Sequence, residues 1–275
     1  MRSGNTIYKF LVMILLFSFA LFPVFTAEAD IGSISCMGEI RVMPLGDSIT
    51  TGKYSGHNTE KGASADDIGY RKDLWDMLKA AGFNVDFVGS MSNGSAYPFS
   101  DPEHEGHNGY TDVQIAENIY NYPGGENWLS QNPPDVILLH IGTNEIGTNP
   151  SDVERILDEI DEYETDSGRQ VVVILARIID WVPINPAVNT FNNNVETMVK
   201  ARPDFGTSLF MVDMQEGAGI NYSIWPGDPD GDMIDDLHPY ATGYTKMAAA
   251  WMTAFQQLEL CQQIFVPIVI NISDS

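Results

Sequence analysis

Three short polar stretches contain the residue types that acyl transfer requires. Gly46-Asp47-Ser48 and Gly142-Thr143-Asn144-Glu145 each follow an apolar run, and Asp235-Asp236-Leu237-His238 lies near the end of the chain. Acyl transfer needs a nucleophile, a base, a group that orients the base, and donors for the developing oxyanion. A serine, an imidazole, a carboxylate and an amide can fill these four roles.

Ser48 is the candidate nucleophile, because Gly46 can end a strand sharply and leave backbone N–H groups free to bind an anion. His238 is the candidate base, since no other histidine is expected beside a buried carboxylate. Asp235 lies three residues earlier and can turn back to accept the second ring N–H of His238, whereas Asp236 would point elsewhere. Taken singly, Gly-Asp-Ser also suits a plain turn, and a His-Pro pair is more often structural.

Candidate oxyanion donors are the N–H of Ser48, the N–H of Gly109 and the side-chain amide of Asn144. Gly109 permits close backbone approach. Asn144 in a Gly-Thr-Asn loop is ordinarily a turn residue, so its role depends on where the loop lies.

These residues must be positioned by strands and helices that the hydrophobic pattern predicts. Near-continuous apolar runs predict buried strands at Ile40–Leu45, Val85–Val88, Val136–Ile141, Val171–Ala176 and Leu209–Val212. Apolar residues at helical spacing predict helices around 70–81, 153–160 and 242–258. Capping boxes are expected at Thr111-x-x-Gln114 and at Ser151-x-x-Glu154.

Alternating strands and helices predict a three-layer α/β/α domain with a central five-stranded parallel sheet. In such a sheet, ligands bind beyond the carboxyl ends of the strands. The polar stretches all follow strands, and so do a predicted polar loop, His104–Gly109, and Asp180-Trp181. We therefore expect them on one rim.

The first 29 residues have the features of a secretory signal peptide. Arg2 and Lys9 precede an apolar run from Phe10 to Phe25, and Ala27-Glu28-Ala29 has the small-x-small pattern of a cleavage site. Cleavage after Ala29 and secretion are expected, with an uncleaved anchor as the alternative.

Residues 30–275 then suit one domain with a core at about 38–258, and the apolar tail 264–275 has no assigned role. Cys36 and Cys261 lie near the ends of this domain, and a bridge and two unpaired thiols both stay open. The net charge of −24 argues against nucleic acid and anionic membranes as partners, and favours a neutral substrate.

Other polar and aromatic motifs have weaker interpretations. His104-x-x-His107 lacks a third metal ligand nearby. Asp228-x-Asp230-x-Asp232 fails the EF-hand pattern because Met233 and Pro239 occupy its sixth and twelfth positions, although another kind of calcium site stays open beside a solvated acidic turn. No metal is therefore assigned. Four loop aromatics could stack on sugar rings or belong to the local core: Tyr97, Trp181, Tyr222 and Trp225.

With these motifs in order, the chain resembles the GDSL, or SGNH, hydrolase superfamily over about residues 38–256. The resemblance implies a serine esterase of flavodoxin-like fold that needs no cofactor. It implies a triad of Ser48, Asp235 and His238, and oxyanion donors on Ser48, Gly109 and Asn144. Residues 30–275 would form the SGNH hydrolase domain. A Gly-x-Ser-x-Gly hydrolase is excluded, because Thr50 stands where glycine is needed.

A finer resemblance is to carbohydrate esterase family 3, the acetylxylan esterases. It rests on Met43–Thr50, Gly69-Tyr70-Arg71, His104–Gly109 and Leu139–Asn144. The chain departs from that pattern at Glu145, where Asp is commoner, and at Tyr240, where Asn is commoner. The resemblance implies removal of acetyl groups from a neutral polysaccharide such as xylan. The alternatives are a lipase or short-chain carboxylesterase of the same superfamily, and a non-catalytic glycan-binding module on the same fold.

Overall fold

A computed structural model describes residues 38–53 and 67–258. The expectations for the signal peptide, Cys36, Cys261 and the tail 264–275 lie outside these residues. Among the helices of the described part, none is long and apolar enough to span a bilayer.

The core of the fold is a mostly parallel sheet. The strands are β1 (Ile40–Gly46), β2 (Val85–Phe87), β3 (Met91–Ser92), β4 (Glu103–Gly106), β5 (Val136–His140), β6 (Val172–Arg177) and β7 (Leu209–Asp213). Their order is β3-β4-β1-β5-β6-β7, and β2 also pairs with β1. The five strands expected from apolar runs are β1, β2, β5, β6 and β7, and all their pairings are parallel. The order β2-β1-β5-β6-β7 is that of a flavodoxin-like sheet, so the predicted fold class is confirmed.

The predicted count of five strands was wrong. The first half of β1 pairs with β2, and its carboxyl end pairs with β4 through Leu45–Glu105 and Gly46–Gly106. Strand β3 then pairs antiparallel with β4. The stretch His104–Gly109, predicted to be a loop, thus begins inside a strand. Its sequence lacks an apolar run because the buried side chains of β4 are those of His104 and Glu105.

Helices cover both faces of the sheet. They are α1 (Ser48–Thr51), α2 (Arg71–Ala80), α3 (Asp112–Ile119), α4 (Trp128–Gln131), α5 (Ser151–Ser167), α6 (Pro186–Ala201) and α7 (Ala241–Gln257). Apolar residues of α3, α4, α5 and α6 form one core with the sheet, and those of α2 and α7 form the core on the opposite face. Helix α6 was not predicted, although its apolar residues recur at helical spacing.

The two predicted capping boxes have different outcomes. Thr111 Oγ1 accepts from the N–H of Gln114, and the Thr111 N–H donates to Gln114 Oε1, as expected. Ser151 is instead the first residue inside α5, with Pro150 before it, and makes no cap bond. Asn149 Oδ1 accepts from the Ser151 N–H at 3.2 Å. The box at Ser151 was therefore a wrong prediction, because the helix begins one residue too early for it.

Arg71 is fully buried at the start of α2. Within the described residues, its guanidinium donates only to backbone carbonyls, those of Thr50, Thr51, Asp67, Asn93 and Pro102, at 2.7–3.5 Å. Burial lowers the pKa of Arg71 to about 10. This one side chain therefore ties the segment after Ser48 to three other parts of the chain.

Candidate active site

Ser48 begins α1, two residues after the carboxyl end of β1. Gly46 is required there because a Cβ on it would lie 2.1 Å from the carbonyl oxygen of His140. Asp47 caps α1, and its Oδ1 accepts from the N–H of Ile49 at 2.9 Å. Ser48 is the first helical residue, so its N–H has no acceptor within the helix.

The structure brings Ser48, Asp235 and His238 together. Ser48 Oγ lies 2.9 Å from His238 Nε2, although 190 residues separate them. His238 Nδ1 lies 3.0 and 3.1 Å from the two carboxylate oxygens of Asp235. The distances are those of hydrogen bonds, so a proton can pass from the hydroxyl to the ring while the carboxylate holds the other ring nitrogen.

The carboxylate of Asp235 is fixed by its own loop. Its Oδ1 also accepts from the N–H groups of Leu237 and His238, at 2.9 and 2.7 Å. Burial opposes ionisation of Asp235, but the hydrogen bonds from the His238 ring and from these two N–H groups lower its pKa to about 2. The group is therefore ionised at neutral pH and can stabilise an imidazolium.

The pKa of Asp47, which precedes Ser48 in the chain, is shifted in the direction opposite to that of Asp235. It is fully buried, and its Oδ2 has no hydrogen-bond partner within the described residues. Burial raises its pKa from 3.8 to about 6, with the N–H of Ile49 and the charge of His238 opposing the shift. Nothing in the sequence around Asp47 indicates that it is buried, since Asp is common in exposed turns as well.

The candidate oxyanion donors come from three segments. One N–H of the Asn144 amide donates to the carbonyl of Tyr110 at 2.9 Å, which leaves the second available. Gly109 lies in the exposed turn between His107 and Tyr110 with φ of +80°, and its N–H makes no hydrogen bond to the described residues. His107 N–H donates to the carbonyl of Gly46 at 2.9 Å, so this turn starts beside the Ser48 turn. The donor roles of Ser48, Gly109 and Asn144 stay predictions.

Glu105 in β4 is a buried carboxylate that lies in the chain between His104 and His107. Glu105 is fully buried, and His107 Nε2 lies 2.6 Å from its Oε1. The expectation that only His238 would adjoin a buried carboxylate was therefore wrong. His104 Nδ1 accepts from the N–H of Gly106, its Nε2 lies 2.9 Å from Asn93 Oδ1, and burial lowers its pKa well below 6.5. Both histidines of His104-x-x-His107 are thus hydrogen-bonded to other groups of the same chain.

The acidic segment Asp228–Asp232 is partly occupied by internal contacts. Asp232 is buried, forms an ion pair with Lys246 and accepts from the N–H of Asn221. Asp228 accepts from the N–H of Asp230 in a local turn. The described residues contain no group of three or more His, Cys, Asp or Glu side chains that could hold a metal ion.

The four loop aromatics differ in what they contact. The hydroxyl of Tyr222 donates to the carbonyl of Gln215 and accepts from the N–H of Asp180, so it joins two loops. Trp181 packs against the core that α3, α4, α5 and α6 form with the sheet. Tyr97 is half-buried in a turn, which is closed by a hydrogen bond from its N–H to the carbonyl of Gly94.

Trp225 lies against Tyr240, with ring centroids 4.5 Å apart and planes at 5°. Both residues are partly exposed. Tyr240 follows His238 by two residues, with the buried Pro239 between them. One ring of the stacked pair therefore lies close in the chain to the candidate base.

Comparison with known proteins identifies the family of the chain. A family profile described as "GDSL-like Lipase/Acylhydrolase" matches residues 42–251, which include the three residues brought together here. The chain belongs to this family.

The GDSL-family chain is also similar to named carbohydrate esterases. A solved structure titled "Clostridium thermocellum family 3 carbohydrate esterase" is 30% identical, with a TM-score of 0.61 over 81% of this chain and 98% of that one. A family 3 carbohydrate esterase from Talaromyces cellulolyticus shares the fold at 24% identity and a TM-score of 0.59, over 80% of this chain and 97% of that one. The chain is thus related to carbohydrate esterase family 3.

Among curated relatives, a "Multidomain esterase" from Ruminococcus flavefaciens is 30% identical over 243 residues. That match covers 79% of this chain but only 28% of the relative's length. Another relative, from Acetivibrio thermocellus, is 27% identical over 143 residues, which is 50% of this chain and 54% of the relative. Fold, family and neighbours together support an ester-bond hydrolase.

Proposed function

We propose that this protein is a secreted serine esterase that removes acetyl groups from a carbohydrate such as acetylated xylan. The observation that supports it most directly is the hydrogen-bonded series from Ser48 through His238 to Asp235. It supplies a nucleophile, a base and an orienting carboxylate, and Ser48 follows the carboxyl end of β1, where open α/β sheets bind their ligands.

In the proposed reaction, Ser48 Oγ attacks the ester carbonyl carbon while His238 Nε2 takes its proton. The carbonyl oxygen becomes an oxyanion, for which the N–H groups of Ser48 and Gly109 and the amide of Asn144 are the proposed donors. The C–O bond to the sugar then breaks, and the sugar oxygen takes the proton from His238. Water attacks the acetyl-serine by the same route in reverse, which releases acetate and restores the hydroxyl.

A neutral carbohydrate substrate is supported by charge and by aromatic surface. The chain has a net charge of −24, which disfavours polyanionic substrates. The stacked pair Trp225–Tyr240, whose second ring is two residues after His238 in the chain, offers an aromatic surface of the kind that packs against a sugar ring. Tyr97 and Trp181 are further proposed contacts; for Tyr222 only the ring is available, since its hydroxyl is engaged.

A lipase or short-chain carboxylesterase is the second candidate, because the family description covers lipases as well. A glycan-binding module without catalysis is the third, and the assembled triad argues against it. Secretion rests on the sequence pattern of residues 1–29. Mass spectrometry of the exported protein tests it, with Asp30 expected as the first residue.

Hydrolysis of p-nitrophenyl acetate separates an enzyme from a binding module. Ser48→Ala should abolish it, whereas Ser130→Ala, on the exposed side of α4, should leave it unchanged. Comparing acetate with long-chain esters and with acetylated xylan then separates a carbohydrate esterase from a lipase. Equal rates for Ser48→Ala and the parent would contradict the proposal.

A further inference from the structure

The carboxylate of Glu105 is a fixed anchor beneath the turn that follows β4. It is fully buried and receives the N–H and the hydroxyl of Ser90, at 2.7 and 2.6 Å, in addition to His107 Nε2 at 2.6 Å. A buried carboxylate with three such contacts has little freedom to move. It therefore fixes the orientation of the His107 ring.

The His107 ring is in turn a packing surface. It stacks on the ring of Tyr110, with centroids 4.7 Å apart, and on the ring of Trp128, with centroids 4.4 Å apart and planes at 11°. The Tyr110 N–H also donates to the carbonyl of His107 at 3.1 Å. Both the ring and the backbone of Tyr110 are thus held by His107.

Tyr110 contacts one candidate oxyanion donor, Asn144, and directly follows another, Gly109. Its carbonyl accepts the amide of Asn144 at 2.9 Å, and Gly109 precedes it in the same turn. The other side of the turn is fixed by the bond from the His107 N–H to Gly46. Two of the three candidate oxyanion donors therefore depend on the position of residues 107–110.

We propose that His107 is a positioning residue, which acts through Tyr110 to aim the Asn144 amide and the Gly109 N–H at the oxyanion. The inference rests on the proposed esterase function. His107 takes no proton from the substrate and makes no contact with the reacting atoms. Its Glu105-anchored ring holds the turn in the geometry that transition-state donors require.

A kinetic double-mutant cycle between His107 and Asn144 tests this role, because a general loss of packing would act independently of Asn144. With p-nitrophenyl acetate, His107→Gln should lower kcat about tenfold to hundredfold and change KM little, since the affected contacts form in the transition state. Asn144→Ala alone should lower kcat by about 10²–10³. In the Asn144→Ala background, His107→Gln should cost much less than it does alone. Fully multiplicative effects would overturn the proposal.

The cycle needs a folded variant and an active parent, so two further measurements accompany it. His107→Phe keeps a ring for Tyr110 and Trp128 but cannot bond Glu105, and it should lose more stability than His107→Gln because the buried carboxylate then keeps only its bonds from Ser90. The side-chain amide NMR signals of Asn144, assigned by their loss in Asn144→Asp, should shift in His107→Gln. If they do not move, the inference fails. An inactive parent with shifted signals would instead contradict the esterase function alone.

Discussion

Arg71 Nε donates to the carbonyl of Thr50 at 3.1 Å, two residues after Ser48. A charged side chain is thus buried against the segment that follows the candidate nucleophile, and backbone carbonyl oxygens accept its hydrogen bonds. The arrangement fixes the end of α1 more firmly than a four-residue helix could by itself.

Arg71→Lys should therefore destabilise the protein despite keeping the charge. An ammonium has three donors on one atom and cannot reach carbonyls spread around a planar guanidinium, so several buried oxygens lose their partner. We expect the free energy of unfolding in urea to fall by about 2–4 kcal/mol. Arg155→Lys, a matched change at a half-exposed surface pair, should stay within about 0.5 kcal/mol of the parent. Equal stability of the two variants would mean that the carbonyl contacts contribute little.

Asp235→Asn should lower kcat for p-nitrophenyl acetate by about 10³–10⁴ with the fold intact, because an amide can no longer fix the His238 tautomer or stabilise its charged form. Asp236→Asn is the matched control. The Asp236 residue is exposed, and among the residues that the structure describes only its backbone carbonyl is bonded, by the N–H of Val182. A large loss for Asp236→Asn, or none for Asp235→Asn, would show that the orienting carboxylate is misassigned.

Asp47 should make stability depend on pH. Its pKa is about 6 in the folded chain against 3.8 ordinarily, so the folded state binds more protons between these values. The stabilisation present below pH 3.8 is therefore lost as pH rises to about 6, an effect of at most about 3 kcal/mol.

Asp47→Asn keeps a good cap and removes this titration. Its free energy of unfolding, relative to the parent, should increase from pH 4 to pH 8 by about 1–3 kcal/mol. Urea titrations at four or five pH values measure it, with Asp236→Asn as the comparison. A difference that stays constant with pH would show that Asp47 does not titrate in this range.

The stacked pair Trp225–Tyr240 should distinguish carbohydrate esters from small ones. Trp225→Ala should lower kcat/KM for acetylated xylan about three- to tenfold more than for p-nitrophenyl acetate, mainly through KM, because only the polymer reaches the aromatic surface. Trp225→Phe keeps a ring and should restore most of the difference. Parallel losses on both substrates would argue for a structural role of Trp225 and against a sugar contact.

Much of the fold and the triad could be predicted because their signals are local. Apolar runs mark β1, β5, β6 and β7 within one or two residues, and the motifs around Ser48 and His238 are short and continuous. The spacing of Asp235 and His238 allowed the turn that the structure shows.

What could not be predicted depends on burial of polar residues by distant parts of the chain. Strand β4 has no apolar pattern, and nothing in its sequence separates a buried Glu105 from an exposed one. The same holds for Arg71 and Asp47, whose environments are built by segments far along the chain. Helix α6 was within reach of sequence reasoning, since Asn185 caps it and Pro186 begins it.

The separation of Ser48 and His238 in the chain has a consequence for biosynthesis. The ribosome makes the hydroxyl first and adds the imidazole 190 residues later, after every strand of the sheet. A nascent polypeptide that has not reached His238 therefore carries the serine without its base. In the proposed mechanism, the growing chain is therefore inert toward esters until His238 has been added.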